Sequence, residues 1–283
     1  VHSEGPYVLF TSDVHRYAYL AKDLLETANA VAAEEGGKVG LMAFGGDFAN
    51  EYVLYEDNMR ILKAALGDTP ATYTKGNHEG STSDADFQAF TGMSRIGETA
   101  VNDSSLYHFF NFGAESNSQA FVQADIDRLK AQLETWDAAD KKPIVIVSHF
   151  PLHYYNDRRS SKQADKVVSL LNQYPQAIFL WGHNHTEQDP NYGMIRTPGD
   201  LIQTGADAKT SQEINFTYAC LGALRDGTNG ANGLLARFND DGTTTFRYLQ
   251  LNAAAGDDTW TDAQGNENAV RYTSNEGVSS ETT

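Results

Sequence analysis

The chain has 283 residues, with 21 lysines and arginines against 38 aspartates and glutamates, which gives a formal charge of −17 at pH 7. This excess of acid repels polyanions and argues against a nucleic-acid polymer or an anionic membrane surface as the partner. No run approaches the roughly 18 consecutive apolar residues of a membrane span. A small anionic substrate held by metal cations remains compatible, because bound cations reverse the local field.

Short apolar runs of strand length alternate with amphipathic stretches through the first part of the chain. We predict strands at 7–11, 39–44, 70–74, 144–147 and 177–181, and helices at 19–35, 52–66, 121–138 and 164–174. This alternation indicates a layered α/β sheet covered on both faces. Residues 80–103 are polar and irregular, and we expect a functional loop there that borders the site.

The later part of the chain has a pattern of short strands joined by turns. Residues 233–238 and 243–251 flank the turn sequence 239–242 and predict a hairpin. We assign residues 1–252 to one domain and predict that residues 253–283 form a polar extension or linker that is partly disordered. Cys220 lies in an apolar run and is expected to be a buried, unreactive thiol. Because the chain starts at Val1, we expect a processed protein whose signal segment was removed, located in the periplasm or outside the cell.

Each of the five strands predicted first is followed within a few residues by aspartate, asparagine or histidine. The ends of parallel strands converge on one crevice in an open α/β sheet, so these side chains are expected to be neighbours. Imidazole nitrogens and carboxylate oxygens bind divalent cations well, and an asparagine can add its amide oxygen. The pattern therefore predicts a two-metal site built from Asp13, His15, Asp47, Asn77, His78, His149, His183 and His185.

The individual motifs differ in specificity. The tripeptides 13–15 and 45–47 are also ordinary turn or surface sequences. The motif 76–79, Gly-Asn-His-Glu, is more specific, because its glycine permits a close backbone approach. In 182–185, Gly-His-Asn-His, two imidazoles spaced two residues apart can reach adjacent metals, and a pair of core or surface histidines is the alternative. His149 ends a buried strand, where an unpaired imidazole is costly.

In this order the motifs resemble the D-x-H, G-D, G-N-H-[DE], H and G-H-x-H pattern of the calcineurin-like metallophosphoesterase superfamily, over residues 7–190. The resemblance implies an α/β fold in which two mixed β-sheets flanked by helices form a four-layer α/β/β/α sandwich, and it makes 1–252 the catalytic domain. It also implies two divalent cations, Mn²⁺, Zn²⁺ or Fe²⁺. One is held by Asp13, His15, Asp47 and His185, the other by Asp47, Asn77, His149 and His183.

The same resemblance makes Asp47 the bridge between the cations and leaves His78 as proton donor or phosphate contact. Two subfamilies are disfavoured. Purple acid phosphatases carry a tyrosine where this chain has Asn50, and protein Ser/Thr phosphatases carry an Asp-Arg-Gly sequence that is absent after Asp47. The expected substrate is therefore a small phosphoester, either a monoester or a diester.

We accordingly predict a binuclear metal-dependent hydrolase, a phosphatase or phosphodiesterase, in which a metal-activated hydroxide attacks phosphorus. In this hypothesis Asn77 orients a phosphoryl oxygen and His78 protonates the leaving alkoxide. The alternative is a non-catalytic metal-binding or scaffold module of a longer exported protein. Retention of every motif residue argues against that alternative. The sequence does not indicate an oligomeric state.

Further residues are expected around the crevice. Glu79 is expected either to orient His78 or to be a solvated loop acid, and His108 is expected to face solvent between two core aromatics. Arginine side chains suit phosphate groups, although a surface arginine pair at the start of a helix is the alternative reading. The predicted substrate contacts are Asn50, His153, Tyr154, Arg158 and Arg159.

Overall fold

The computed structural model describes residues 5–49, 55–101, 106–156, 160–186, 188–204, 210–224, 231–252, 257–260 and 272–274. The helices are α1 (Ala21–Glu34), α2 (Tyr55–Leu66), α3 (Asp84–Thr91), α4 (Gln123–Ala139) and α5 (Ala164–Leu171), with a 3₁₀ turn at Ala18–Leu20. Within these ranges, no helix combines the length and the apolar character that crossing a bilayer requires.

The strands form two large mixed sheets and one small one. They are β1 (Tyr7–Thr11), β2 (Val39–Phe44), β3 (Ala71–Tyr73), β4 (Ile96–Glu98), β5 (His108–Phe112), β6 (Ile144–Ser148), β7 (Ala177–Trp181), β8 (Ile195–Arg196), β9 (Leu201–Thr204), β10 (Thr210–Glu213), β11 (Thr217–Cys220), β12 (Asn232–Phe238), β13 (Thr244–Asn252), β14 (Asp257–Trp260) and β15 (Tyr272–Ser274). The first sheet has the order β14-β13-β12-β1-β2-β3, and β15 also pairs with β13. The second has the order β4-β5-β6-β7-β11-β8, and β9 pairs with β10 separately.

The central strands of both sheets are parallel and buried on both faces. β1, β2 and β3 run parallel to one another, as do β5, β6, β7 and β11. In β1, Val8 and Phe10 belong to the core shared with the second sheet, whereas Leu9 packs in the cluster that includes α1 and α2. Helices α4 and α5 cover the second sheet. Continuous apolar runs suit such doubly covered strands. The predicted four-layer α/β/β/α sandwich is confirmed.

The expectation of an irregular loop at 80–103 is wrong, because this segment contains α3 and β4. The hydroxyl of Ser83 caps α3 by accepting a hydrogen bond from the Asp86 N–H, and Phe87 is fully buried. Asp84 pairs with Arg95 at 2.9 Å. The segment is polar because capping and ion pairs stabilise it.

Several smaller predictions are confirmed by the packing. The hairpin is formed by β12 and β13, and Cys220 is a buried free thiol.

His108 does not face solvent freely: it is half-buried, stacks on Trp136 and lies 2.9 Å from the Asp140 carboxylate. Beyond residue 252, the strands β14 and β15 pair with β13, and the domain boundary at 252 stays a prediction.

Candidate metal centre

All eight residues of the predicted two-metal site follow β1, β2, β3, β6 or β7, at the carboxyl edge of the parallel strands. The fold brings them together, since β1, β2 and β3 lie side by side in one sheet and β6 and β7 in the other. Seven of the eight, all except Asn77, have ligand atoms that lie within 4.8 Å of one another in three groups. These are Asp13, His15 and His185, then Asp47, His149 and His183, and finally His15, Asp47 and His78.

The backbone is strained where it presents these side chains. Among the described residues, positive φ angles outside glycine occur at Gln163 and at four predicted site residues: Asp13 (47°), His15 (43°), Asp47 (56°) and His183 (71°). A non-glycine residue in this region costs about 1–3 kcal/mol, and such strain concentrates at functional sites. The short loops after β1, β2 and β7 thus adopt a costly conformation that turns their side chains into one crevice.

Motif glycines let these loops approach each other closely. A Cβ atom on Gly76 would lie 2.3 Å from both the backbone nitrogen and Oδ1 of Asp47. A Cβ atom on Gly182 would lie 2.1 Å from Oγ of Ser12, beside the carboxylate of Asp13. No side chain fits in either place, so the loop after β3 rests on the loop after β2, and the loop after β7 rests on the loop after β1.

The first cluster contains buried polar atoms that no group among the described residues satisfies. Oδ1 of Asp13 lies 4.0 Å from Nε2 of both His15 and His185, and neither this oxygen nor Nε2 of His15 has a hydrogen-bond partner in the part of the chain that the structure describes. Burial lowers the pKa of His15 to about 4, against the opposing pull of Asp13 and Asp47. The imidazole is therefore neutral at pH 7, as a metal ligand must be. A cation between these atoms would satisfy the unpaired nitrogen and oxygen together.

The second cluster is centred on Nε2 of His149. This nitrogen lies 2.9 Å from Oδ1 of Asn77 and 3.2 Å from Oδ1 of Asp47, while the carbonyl of Gly45 accepts the Nδ1 proton at 2.8 Å. Burial lowers the pKa of His149, but Asp47 outweighs burial and raises it to about 9. Without a cation, the imidazole holds a second proton at Nε2. A divalent cation would take the place of that proton, so the donor set fits a metal.

Asp47 connects the two clusters. Its Oδ1 faces His149 and also accepts a hydrogen bond from the backbone N–H of His78 at 3.0 Å. Its Oδ2 lies 3.8 Å from Nε2 of His15 and 3.8 Å from Nε2 of His78. The histidines hold the pKa of Asp47 well below its usual range, although burial alone would raise it. One ionised carboxylate thus presents an oxygen to each cluster.

His78 is the most exposed side chain of the eight. Its side chain is 41% exposed, compared with 17% for His185 and 1% for His15. The ring lies edge-on to His15 with a centroid separation of 4.8 Å. His78 therefore opens to the crevice, where a substrate can reach it, while the other histidines lie deeper.

Both predicted roles of Glu79 are wrong, because the structure gives this residue a different one. It is 1% exposed, so it is not a solvated acid, and its carboxylate accepts backbone hydrogen bonds rather than orienting His78. The donors are the N–H groups of Asp47 at 3.0 Å, Ala49 at 2.8 Å and Gly76 at 2.9 Å. Burial, reinforced by Asp47, raises the pKa of Glu79 to about 7. Glu79 clamps the loops after β2 and β3 together.

Gln119 is a further residue at the second cluster that the sequence analysis missed. Its Oε1 lies 3.1 Å from Nε2 of His183, and its amide nitrogen donates to Oγ of Ser161 at 3.1 Å. Gln119 follows β5, which is parallel to β6 and ends at the same edge. Its position after a parallel strand could have indicated that Gln119 lies near the site, but glutamine is a weak indicator of a metal site.

The predicted substrate residues are only partly placed. The expected rim position of His153 is wrong, because the residue is only 1% exposed. Its side chain hydrogen-bonds with Tyr218 and Asp189, and its ring packs against Trp181. Tyr154 is half-buried, and its backbone N–H donates to the Gln203 carbonyl at 2.6 Å. The other three, Asn50, Arg158 and Arg159, lie outside the described residues.

The two-sheet α/β sandwich brings buried carboxylates and imidazoles together at one strand edge, in groups that could hold divalent cations. The sequence model for calcineurin-like phosphoesterases matches residues 6–187, and the chain belongs to this family. The resemblance drawn from the motifs is thereby confirmed. A search of curated proteins finds no match.

Two of the solved structures that the chain matches share its fold at low sequence identity, and a third is similar with a TM-score below 0.5. A dimetal phosphatase from Danio rerio has a TM-score of 0.59 and 14% identity, covering 88% of this chain and 100% of that one. GAP50, the anchor in the inner membrane complex of Plasmodium, has a TM-score of 0.52 and 13% identity, covering 95% and 87%. The NAD nucleotidase of Haemophilus influenzae has a TM-score of 0.47 and 10% identity, covering 93% of this chain and 54% of the nucleotidase. This chain thus spans about half of that protein.

Proposed function

We propose that the chain hydrolyses a small phosphoester, monoester or diester, with two divalent cations bound in the metal centre. The observation that carries this proposal is the placement of Asp47, whose two oxygens face separate clusters of buried ligand atoms. A structural carboxylate needs only hydrogen-bond donors. A carboxylate between two sets of imidazoles, beside buried atoms that have no hydrogen-bond partner among the described residues, suits a shared ligand of two cations.

In this proposal each cluster holds one cation. Asp13, His15 and His185 would hold the first, Asn77, His149 and His183 would hold the second, and Asp47 would contribute to both. When bound, the cations would supply Lewis acidity and a water of lowered pKa as the nucleophile. Neutral His15 is prepared for this role by burial, and His149 becomes a ligand when it gives up its Nε2 proton.

The remaining chemistry belongs to side chains at the crevice. Asn77 directs Oδ1 toward Nε2 of His149, which leaves its amide NH₂ to hydrogen-bond a phosphoryl oxygen. His78, open to solvent and 3.8 Å from Oδ2 of Asp47, can donate a proton from Nε2 to the leaving alkoxide. Hydrolysis of an alkyl phosphoester would need such an acid, because an alkoxide leaves poorly without a proton.

Charge supports a small substrate over a polymer. The chain carries −17 overall, and two divalent cations would outweigh the charges of Asp13 and Asp47 locally. The crevice would then be positive within an acidic surface. A compact phosphoester can enter such a crevice, whereas a long polyanion would meet the acidic surface around it.

A scaffold without turnover is the second candidate, favoured by one observation. GAP50, described as an anchor, shares this fold with a TM-score of 0.52. Hydrolysis of p-nitrophenyl phosphate and bis(p-nitrophenyl) phosphate, measured with EDTA and after adding back Mn²⁺ or Zn²⁺, separates the two functions. We expect metal-dependent turnover that Asp47→Asn abolishes and Asp140→Asn leaves intact, with the ratio of the two rates showing ester preference. Metal binding without turnover of either compound would favour the scaffold.

A further inference from the structure

A buried polar network lies beneath the loop that carries His183 and His185. Its centre is Asp189, whose side chain is 0% exposed. Oδ2 of Asp189 accepts hydrogen bonds from Nδ2 of Asn184 at 2.8 Å and from Nε2 of His153 at 2.7 Å. Oδ1 accepts the backbone N–H of Asn191 at 2.9 Å. Neither Asp189 nor His153 reaches the crevice, so neither has a part in the chemistry proposed above.

The network determines which way Asn184 points. Asn184 sits between the two histidines of the motif, is 1% exposed, and turns its amide down to Asp189. Its backbone N–H donates to the carbonyl of Gly182 at 2.8 Å, closing a tight turn in which His183 has a φ of 71°. With the middle side chain tied below, the flanking imidazoles are left facing the crevice, one in each cluster.

The far side of the network is equally constrained. The hydroxyl of Tyr218, on β11, accepts the backbone N–H of Leu152 at 2.8 Å and lies 2.7 Å from Nδ1 of His153. The carboxylate of Asp189 accepts the hydrogen bond from Nε2 of His153, so the ring of His153 is held at both of its nitrogens. The orientation of Asp189 is therefore determined by residues from β11 and from the loop after β6. His153 and Tyr218 lie outside the 182–185 turn, so they hold Asp189 without help from the turn.

We propose that Asp189 is a positioning residue of the metal centre, which acts through Asn184 to hold the 182–185 turn so that His183 serves one cation and His185 the other. The inference deepens the proposed function and rests on its two-cation site. Side chains that hold a metal ligand in place commonly contribute 10–100-fold to metal affinity. Here one carboxylate would influence both cations, because a single asparagine separates the two ligands.

A purely structural role is the competing account, since any buried hydrogen-bonded aspartate stabilises its surroundings. The chain offers a matched control for it. Asp140 hydrogen-bonds with His108 at 2.9 Å, which is close to the 2.7 Å between Asp189 and His153. His108 begins β5, so this pair lies at the opposite edge of the sheet from the crevice. Asp140→Asn removes a carboxylate from a histidine–aspartate pair without touching the motif loop.

The test measures Mn²⁺ binding to the metal-free full chain by isothermal titration calorimetry, without substrate, together with Tm. We expect Asn184→Ala and Asp189→Asn each to weaken binding of both Mn²⁺ ions by about 10–100-fold. The double variant should bind Mn²⁺ with the same affinity as the single variant that binds it less tightly. Asp140→Asn should bind Mn²⁺ like the unmutated chain. If Asp189→Asn does not fold, the Mn²⁺ affinity of Asn184→Ala tests the proposal alone, since this variant removes only the hydrogen bond between the turn and Asp189.

Two results would overturn the inference and are distinguishable. Lower Tm with unchanged Mn²⁺ affinity in both variants would assign the network to stability alone and leave the proposed function intact. Failure of the unmutated chain to bind two Mn²⁺ ions would instead contradict the proposed function itself, and the inference with it.

Discussion

The carboxylate of Glu79 accepts a hydrogen bond at 3.0 Å from the backbone N–H of Asp47, so two acidic residues meet inside a buried site. The contact places a backbone donor between them, and two more N–H groups share the Glu79 carboxylate. These bonds hold Asp47 at a φ of 56°, a strained conformation that aims its side chain at both clusters. Glu79 thereby supports the bridging position without facing the crevice.

Replacing Glu79 with glutamine should destabilise the chain. The amide group of glutamine cannot accept on both of its terminal atoms, so at least one buried N–H among the three loses its partner, at a cost of about 1–3 kcal/mol. Urea denaturation of the metal-free chain measures the change in the free energy of unfolding. Glu98→Gln, at an exposed position on β4, is the control and should change little. Equal stability of the two variants would show that the clamp contributes nothing.

The metal-free chain should lose stability as the pH rises from about 6.5 to about 9. The pKa of His149 is about 9 in the folded chain against an ordinary value of 6.5, so in this window the folded state binds a proton that the unfolded state has released. The stabilisation is complete below pH 6.5 and disappears above pH 9. His15, with a pKa lowered to about 4, is neutral in the folded chain throughout this window, and in the unfolded chain it loses its proton near the lower edge of the window, at its ordinary pKa of 6.5.

Denaturation at several pH values, with EDTA, measures this dependence. His149→Gln should flatten the upper part of this curve, above the pKa of about 7 of Glu79, since no proton is then taken up at this position. Saturating Mn²⁺ should also flatten it, because a cation at Nε2 replaces the proton. A slope that persists in the upper part of the curve for His149→Gln would assign the proton to another group.

His78→Ala should lower kcat by about 10²–10⁴, the range for a positioned acid. His78 is exposed and can reach a leaving group, but its Nε2 also lies 3.8 Å from Oδ2 of Asp47, within reach of a cation. Metal content distinguishes the two roles. Two ions retained with a lowered kcat support the acid, whereas loss of an ion would move His78 into the ligand set of the first cluster.

Gly182→Ala should weaken metal binding and stability together. The new Cβ would lie 2.1 Å from Oγ of Ser12 and 3.1 Å from Oδ2 of Asp13, so the loops after β1 and β7 must separate. Overpacking of this kind costs about 1–3 kcal/mol. Gly199→Ala provides the control: its Cβ meets open space, although its φ of 94° adds backbone strain. The prediction fails if both variants bind Mn²⁺ equally well.

The five strands that lead into the crevice and the convergence of the eight residues at their ends were predictable, because both depend on local patterns. Apolar runs identify doubly covered strands, and ligand-type residues just after them must meet at one edge. Glu79 and Asp189 were not predictable in role, since their partners lie 32 and 36 positions away, at Asp47 and His153. Nothing local distinguishes a buried carboxylate held by backbone N–H groups from a solvated one. α3 was missed for a related reason, because Arg95, which pairs with Asp84 at the start of the helix, lies outside the helix in sequence.

The central claim is that Asp47 bridges two divalent cations. The most direct measurement is anomalous diffraction at the manganese absorption edge from crystals of the chain grown with Mn²⁺. The account predicts two peaks, one beside Asp13, His15 and His185 and one beside Asn77, His149 and His183, with a different oxygen of Asp47 next to each. A single peak, or two peaks of which only one touches Asp47, would contradict it.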